Sequence, residues 1–271
     1  MSFMSKLRKI EAIDPPRILI YGPPKIGKTT LASEFPDAVF IQIEDGQNTS
    51  VSLDGWGRSE IQSYGDVMEA MRSLYEEEHE FKTLVIDSIS ELQVMIYDET
   101  CARGDEKGNA KQRIEDFGYG KGYIYALNVW KELMDAINML RTGRGMTTIL
   151  IGHAKVDRFD DPETVSYHRY EIDVHDRAQK LIEREMDAIL LLKRDVTVKE
   201  EDAGPNKKRA HAEGGATRFI YSEGRPSQVA GSRYKLPAKI PYREGQGYAE
   251  LAKYLPGQPE PAEPAKVAKA A

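Results

Sequence analysis

The sequence predicts an α/β protein: a mainly parallel open sheet with helices on both faces and a small C-terminal β-appendage. Two observations carry this. Short, nearly continuous apolar runs recur along the chain, which is how strands buried on both faces of a sheet read. Between them lie segments with apolar residues at helical spacing, and strand–helix alternation of that kind builds parallel sheets through crossover connections.

The strand runs, in order, are Arg17–Tyr21 (RILIY), Val39–Glu44 (VFIQIE), Thr83–Asp87 (TLVID), Thr147–Ile151 (TTILI) and Ala188–Lys193 (AILLLK). Helical spacing appears at Lys28–Phe35, at Val67, Ala70, Met71 and Leu74, and at Ile89, Leu92, Met95 and Ile96. A longer helix carries Tyr123, Leu127, Trp130, Leu133, Met134, Ile137 and Leu140 and stops at Gly143. A further helix over Asp176–Met186 precedes the last strand. Beyond Arg194 the pattern changes. Lys199–Gly215 reads as a polar loop, and Arg218–Tyr221 and Gln228–Gly231 read as small strands around the turn Glu223-Gly224-Arg225-Pro226.

Residues 1–14 read as a flexible lead-in halted by Pro15-Pro16, residues 15–255 as the folded domain, and residues 256–271 as a disordered tail. The tail holds four of the 14 prolines and almost no large apolar side chain, so it cannot offset its own ordering entropy. Across the 271 residues, 38 Lys and Arg against 44 Asp and Glu leave a charge of −6, which excludes a globally basic nucleic-acid coat. Residues 203–243, the basic β-appendage, hold nine Lys or Arg and two Glu; that segment is +7 and the remainder −13. No apolar run is long enough for a membrane helix, and the single cysteine, Cys101, has no intramolecular disulfide partner. These features predict a soluble protein of the cytoplasm with no membrane partner.

Gly22-Pro23-Pro24-Lys25-Ile26-Gly27-Lys28-Thr29 fits G-x-x-x-x-G-K-[ST], with an apolar strand entering and a helix leaving. The chemistry requires that setting. Glycines let the backbone wrap until its N–H groups point at phosphate, and the helix start adds a favourable dipole. Lys28 is then placed to bridge the β- and γ-phosphates of ATP, Thr29 to hold Mg²⁺ through its hydroxyl, and Thr30 to reach the α-phosphate. Asp87, ending the run Leu84-Val85-Ile86, is the metal-side carboxylate, although Asp87-Ser88 would also serve as a plain helix cap. In AAA+ and ABC-type ATPases a Glu directly follows this Asp; Ser88 stands there instead, which argues against those classes.

The succession GPPKIGKTT, VFIQIEDG, TLVIDS, TTILIGHAK and GSRYKLP resembles the phage-encoded RecA-like ATPases, relatives of single-strand annealing and recombination proteins, over about residues 15 to 255. The resemblance implies ATP hydrolysis with Mg²⁺, single-stranded DNA as partner, self-assembly, and action beside a single-strand DNA-binding protein. It makes Glu44 the general base, with Asp45 the rival, and His153 the residue that senses the γ-phosphate; a merely structural histidine reads the same way. His79, His168, His175 and His211 have no partner cluster and read as surface residues. Arg233-Tyr234-Lys235 has the spacing of the basic finger that reaches a neighbouring protomer's nucleotide, or of an ordinary solvated charge pair, and Leu236–Pro241 reads as packing near the base. DNA contacts fall on two charged loops over the sheet's C-terminal edge, Arg103–Lys121 with Phe117, Tyr119 and Tyr123 as stacking rings, and Lys155–Arg169 with Tyr167 and His168. Two other functions fit the same loop: a nucleotide-gated loader with negligible turnover, and a small-molecule kinase. The kinase is disfavoured by the lack of an arginine-rich lid.

Overall fold

The computed structural model describes residues 14–44, 52–202 and 208–257, together with Met4 and Leu7; side chains are described outside 196–214 and 216. Asp45 and the tail beyond Gly257 therefore lie outside the described residues, as does nearly all of the lead-in.

Seventeen elements are described. They are β1 (Arg17–Gly22), α1 (Lys28–Ser33), β2 (Ala38–Gln42), β3 (Asp54–Trp56), α2 (Tyr64–Glu76), β4 (Thr83–Asp87), α3 (Ile89–Arg103), a 3₁₀ turn (Ile114–Phe117), α4 (Lys121–Arg144), β5 (Thr147–Phe159), β6 (Tyr167–Ile172), α5 (Asp176–Glu185), β7 (Ala188–Asp202), β8 (Lys208–Tyr221), β9 (Gly231–Ser232), β10 (Lys239–Tyr242) and α6 (Gly247–Ala252). The main sheet runs β10-β8-β7-β1-β5-β4-β2-β3. From β7 to β3 every neighbour is parallel, whereas β8 and β10 join antiparallel. This is the mainly parallel open α/β sheet that the apolar runs predict.

The reason those runs are continuous lies in the layering. Leu19, Tyr21, Leu84, Ile86 and Leu150 face α2 to α5, while Ile18, Ile20, Val85, Ile149 and Ile151 face α1 and α6. Alternate side chains point to opposite faces and both faces are covered, so neither parity is polar. The helices end where local chemistry stops them. Ser63 and Asp66 make a reciprocal capping box at the start of α2, and Gly145 takes a left-handed conformation after α4.

Three sequence expectations are corrected after β5. The segment Lys155–Arg169 is a hairpin, because β5 runs on to Phe159 and pairs antiparallel with β6. Of Lys199–Gly215, the described residues 199–202 and 208–215 are likewise strand: β7 and β8 pair from Leu191 with Tyr221 out to Asp202 with Lys208. Polar side chains on two-sided ribbons lack apolar periodicity, so nothing in the pattern marks either as strand. Gln228–Gly231 does not pair with Arg218–Tyr221; Gln228 bridges Tyr170 and Arg225, and β9 pairs β7.

At the N-terminal end of the parallel strands sits Asp187, which is 3% exposed. Its carboxylate accepts from the Arg17 backbone N–H at 2.9 Å, the Arg17 guanidinium at 3.1 Å and Arg233 at 2.7 Å, with Arg141 at 3.3 Å. Burial alone would raise this carboxyl; the bonds from Arg17 and the charge of Arg141 hold it below the usual carboxylate range. The network ties the starts of β1 and β7 together. The phosphate loop leaves the far end of β1, about 17 Å away along the strand.

Candidate nucleotide site

The loop between β1 and α1 forms as the motif predicts. Gly22 ends β1 where a Cβ would lie 2.2 Å from the Leu192 carbonyl oxygen, so only glycine permits β7 to approach. Gly27 precedes α1 at φ 104 in the left-handed region, and no side chain caps the helix. Lys28, 7% exposed, folds back over the loop and donates to the carbonyls of Gly22 at 3.0 Å and Pro23 at 3.1 Å. Pro24 and Lys25 form the turn between, with Ile26 and Thr30 buried.

Asp87 and Glu44 converge on this loop. The Thr29 hydroxyl donates to Asp87 Oδ2 at 2.6 Å. β2 and β4 pair Gln42 with Asp87, which brings Glu44 just past the same sheet edge. The backbone N–H of Ile43 then donates to the Asp87 carbonyl at 2.7 Å. His153 Nε2 donates to Glu44 Oε1 at 2.8 Å, and the Ser88 hydroxyl donates to the same oxygen. His153 reaches it because β5 lies between β1 and β4, with His153 in register with Gly22. Its backbone N–H is held by Ser90 at 3.2 Å, while its Nδ1 is buried without a partner. The Nε2 donor expected to meet a γ-phosphate is thus engaged by Glu44.

The electrostatics suit a phosphate ligand. Hydrogen bonding from His153 and Ser88 holds the Glu44 carboxyl below its usual range despite burial, so it is an ionised acceptor at neutral pH. Burial pushes the Lys28 ammonium down, against the pull of Asp87 and Glu44. Burial pushes Asp87 up, with Glu44 adding repulsion and Thr29 opposing. A triphosphate beside Lys28 and a divalent cation beside Asp87 would relieve both strains. The donor set fits Mg²⁺: a hydroxyl and a carboxylate, with phosphate oxygens and water completing the shell. Among the described residues no group of three or more His, Cys, Asp or Glu would hold a metal unaided.

Two contributors carry no signal of their role in the sequence. Ser88 stands out there as the residue in place of a glutamate and as a helix cap, which it is for α3, yet it also bonds the carboxylate that arrives from beyond β2. Arg218 on β8 donates to the Ile26 carbonyl of the loop at 3.2 Å, lies 4.7 Å from the Tyr242 ring centroid and pairs with Glu244 at 3.4 Å. A Cβ on Gly27 would meet this guanidinium at 2.5 Å. No local pattern marks Arg218, because β8 reaches the loop only through the sheet. Replacing it by alanine removes a charged hydrogen bond, and the expected result is roughly tenfold weaker binding of a fluorescent ATP analogue with kcat at saturation preserved.

The basic finger candidates lie elsewhere. Arg233 belongs to the Asp187 network and donates to the Arg184 carbonyl at 2.7 Å, at the sheet end opposite its own phosphate loop. Lys235 is exposed. Leu236 packs against the apolar layer beneath α1. Of the three rings expected to meet bases, Tyr123 is stacked on His175 at 4.2 Å and Phe117 meets Tyr125 edge-on at 5.3 Å, whereas Tyr119 is fully exposed. His175 is correspondingly no plain surface residue: it also caps α5, its side chain accepting from the Arg177 N–H. No helix among the described residues is long and apolar enough to cross a membrane.

Comparison with known proteins bears on the family. No curated protein matches the chain. Among solved structures it is similar to the RadB recombinase, with a TM-score of 0.42 and 13% identity over 77% of this chain and 81% of that one. A family profile, AAA_24, described as an AAA domain, matches residues 14–234. Ser88 in the position after Asp87 therefore does not exclude this family; its hydroxyl bonds the Glu44 carboxylate. With most of its length matched, from the phosphate-loop strand through Arg233 and Tyr234, the chain belongs to the AAA domain family.

Proposed function

We propose that the protein is a RecA-like ATPase that binds Mg·ATP in the Gly22–Thr30 loop, hydrolyses it, and acts on single-stranded DNA in phage recombination or replication. One observation carries the hydrolytic part: Glu44, ionised and held by His153 and Ser88, stands at the sheet edge beside Asp87 and within the field of Lys28. A general base needs that protonation state and a fixed orientation toward the attacking water. In this reading Lys28 neutralises charge developing on the transferred phosphoryl group, Thr29 and Asp87 hold Mg²⁺, and Mg²⁺ supplies charge stabilisation when bound.

His153 joins Glu44 to β5, which continues into the β5–β6 hairpin, so a change at Glu44 has a short covalent route to that hairpin. Arg233 and Lys235 then serve a neighbouring protomer's nucleotide, which makes the active form a homo-oligomer; a single-strand DNA-binding protein is a further partner. Steady-state ATP turnover with and without single-stranded oligonucleotide tests the proposal. Turnover stimulated by the oligonucleotide is the expected result. ATP binding with no turnover under either condition would make the protein a nucleotide-gated loader, and phosphate transfer only to an added acceptor would make it a kinase.

A further inference from the structure

The cations expected to meet DNA are largely spoken for. Arg103, Lys111, Arg113, Lys155, Arg158 and Arg169 each hold a carboxylate at 2.6 to 3.9 Å. A different group of cations outnumbers the carboxylates beside it. Lys193 on β7 has its ammonium 5.0 Å from the Tyr170 ring centroid and 4.9 Å from that of Tyr221. Lys239 on β10 shares the Tyr221 ring at 5.6 Å and covers Phe219 at 3.9 Å. Two ammonium groups thus flank one phenol ring, and a single carboxylate serves them: Asp195 pairs with Lys239 at 2.5 Å and accepts from the Tyr221 hydroxyl at 3.2 Å. Among the described residues Lys193 has no carboxylate at salt-bridge distance. Burial pushes its ammonium down; Asp195 opposes this, and the charges of Lys239 and Arg225 add to it. Arg225 is exposed and likewise pairs with no described carboxylate.

The place matters as much as the charge. Leu191 is in register with Tyr21, so Lys193 stands level with Pro23 at the start of the phosphate loop. Lys193, Phe219, Tyr221 and Lys239 project from one face of the β7-β8-β10 edge, since cross-strand partners share a face. The rings carry the ammonium groups on their faces and fix their positions, and Asp195 alone stands against the two ammonium groups. Phosphate is the anion that such a cluster takes, because several N–H donors converge on a compact, multiply charged acceptor.

We propose that Lys193, Lys239 and Arg225 form a second phosphate-binding site beside the nucleotide loop, whose ligand is the phosphodiester backbone of a nucleic acid strand. The proposal rests on the reading that this ATPase acts on single-stranded DNA, and it locates the strand on the sheet edge, away from the two charged segments. The same chemistry would accept a free oligophosphate, so both are tested with the phosphate loop filled by excess Mg·ADP.

Fluorescence anisotropy of labelled oligothymidylate, over a salt series, is measured for the wild type, Lys193→Gln, Arg225→Gln and Lys193→Arg, with tripolyphosphate binding followed by calorimetry. Each Gln variant is expected to bind the oligonucleotide roughly fivefold to tenfold more weakly and to lower the slope of log K against log salt by about 1, while Lys193→Arg keeps wild-type affinity and slope. Undiminished binding of Mg·ADP by the variants shows that they fold. Gln variants that bind oligonucleotide like the wild type overturn the site and leave the DNA reading standing. A wild type that binds no oligonucleotide overturns both as stated; tripolyphosphate binding lost in the Gln variants would then assign the cluster to free oligophosphate.

Discussion

Lys28→Ala is expected to abolish nucleotide binding. The Lys28 ammonium is buried, its pKa is pushed down by that burial, and its described hydrogen bonds go to the Gly22 and Pro23 carbonyls of its own loop. Those bonds cannot balance a buried positive charge; a triphosphate can. Truncating one side of a desolvated charge pair costs about 2–5 kcal/mol, so affinity should fall by roughly thirtyfold to several thousandfold. Thermal melting reads this directly. The wild type at a hundred times its Kd should gain about 2.7 kcal/mol from ATP, and the variant less than about 1 kcal/mol at the same concentration. An equal rise in Tm for both proteins would remove the loop from the nucleotide site. The melting temperature of the variant without ATP separates this from misfolding.

Glu44→Gln should have the opposite profile: binding kept, turnover lost. The amide is nearly isosteric and its oxygen still accepts from His153 and Ser88, so the geometry around Asp87 survives. The basic carboxylate is gone, and a positioned general base contributes about 10²–10⁴ in rate. The expected result is kcat reduced by that factor with the affinity for Mg·ATP unchanged, measured by phosphate release and by equilibrium titration. Full turnover in Glu44→Gln would pass the base role elsewhere and sink the catalytic assignment. In the wild type, turnover should fall on acidification only well below neutrality, because the bonds from His153 and Ser88 keep the Glu44 carboxyl lowered in the folded protein. A group so lowered keeps its function above its folded pKa and loses it as pH falls through that value.

Much of the molecule is legible in its amino-acid order. β4 and the starts of β1, α3 and α5 lie where the apolar pattern puts them, because each is a contiguous segment whose neighbours in space cover both faces. The phosphate loop is legible for a related reason: its eight residues are adjacent in the chain, and its chemistry is set by glycine conformations and one lysine within that stretch. Asp87 can be assigned because the end of a buried strand is a local feature.

The rest required tertiary structure. Glu44 follows β2, Ser88 follows β4 and His153 lies in β5, and only the order β1-β5-β4-β2 sets them side by side. Arg218 reaches the loop, and Arg233 leaves for Asp187, because of partners that lie 192 and 46 residues away in the chain. The outer parts of the hairpins made by β5 with β6 and by β7 with β8 leave no apolar period to read, because polar residues predominate in their sequence. Composition gives the basic segment a charge but not an address. Local sequence determined which segments are strands and helices and which turn grips phosphate; the pairing of distant strands decided which carboxylate, imidazole and guanidinium stand around it, because hydrogen-bond register, unlike periodicity, is settled between segments rather than within one.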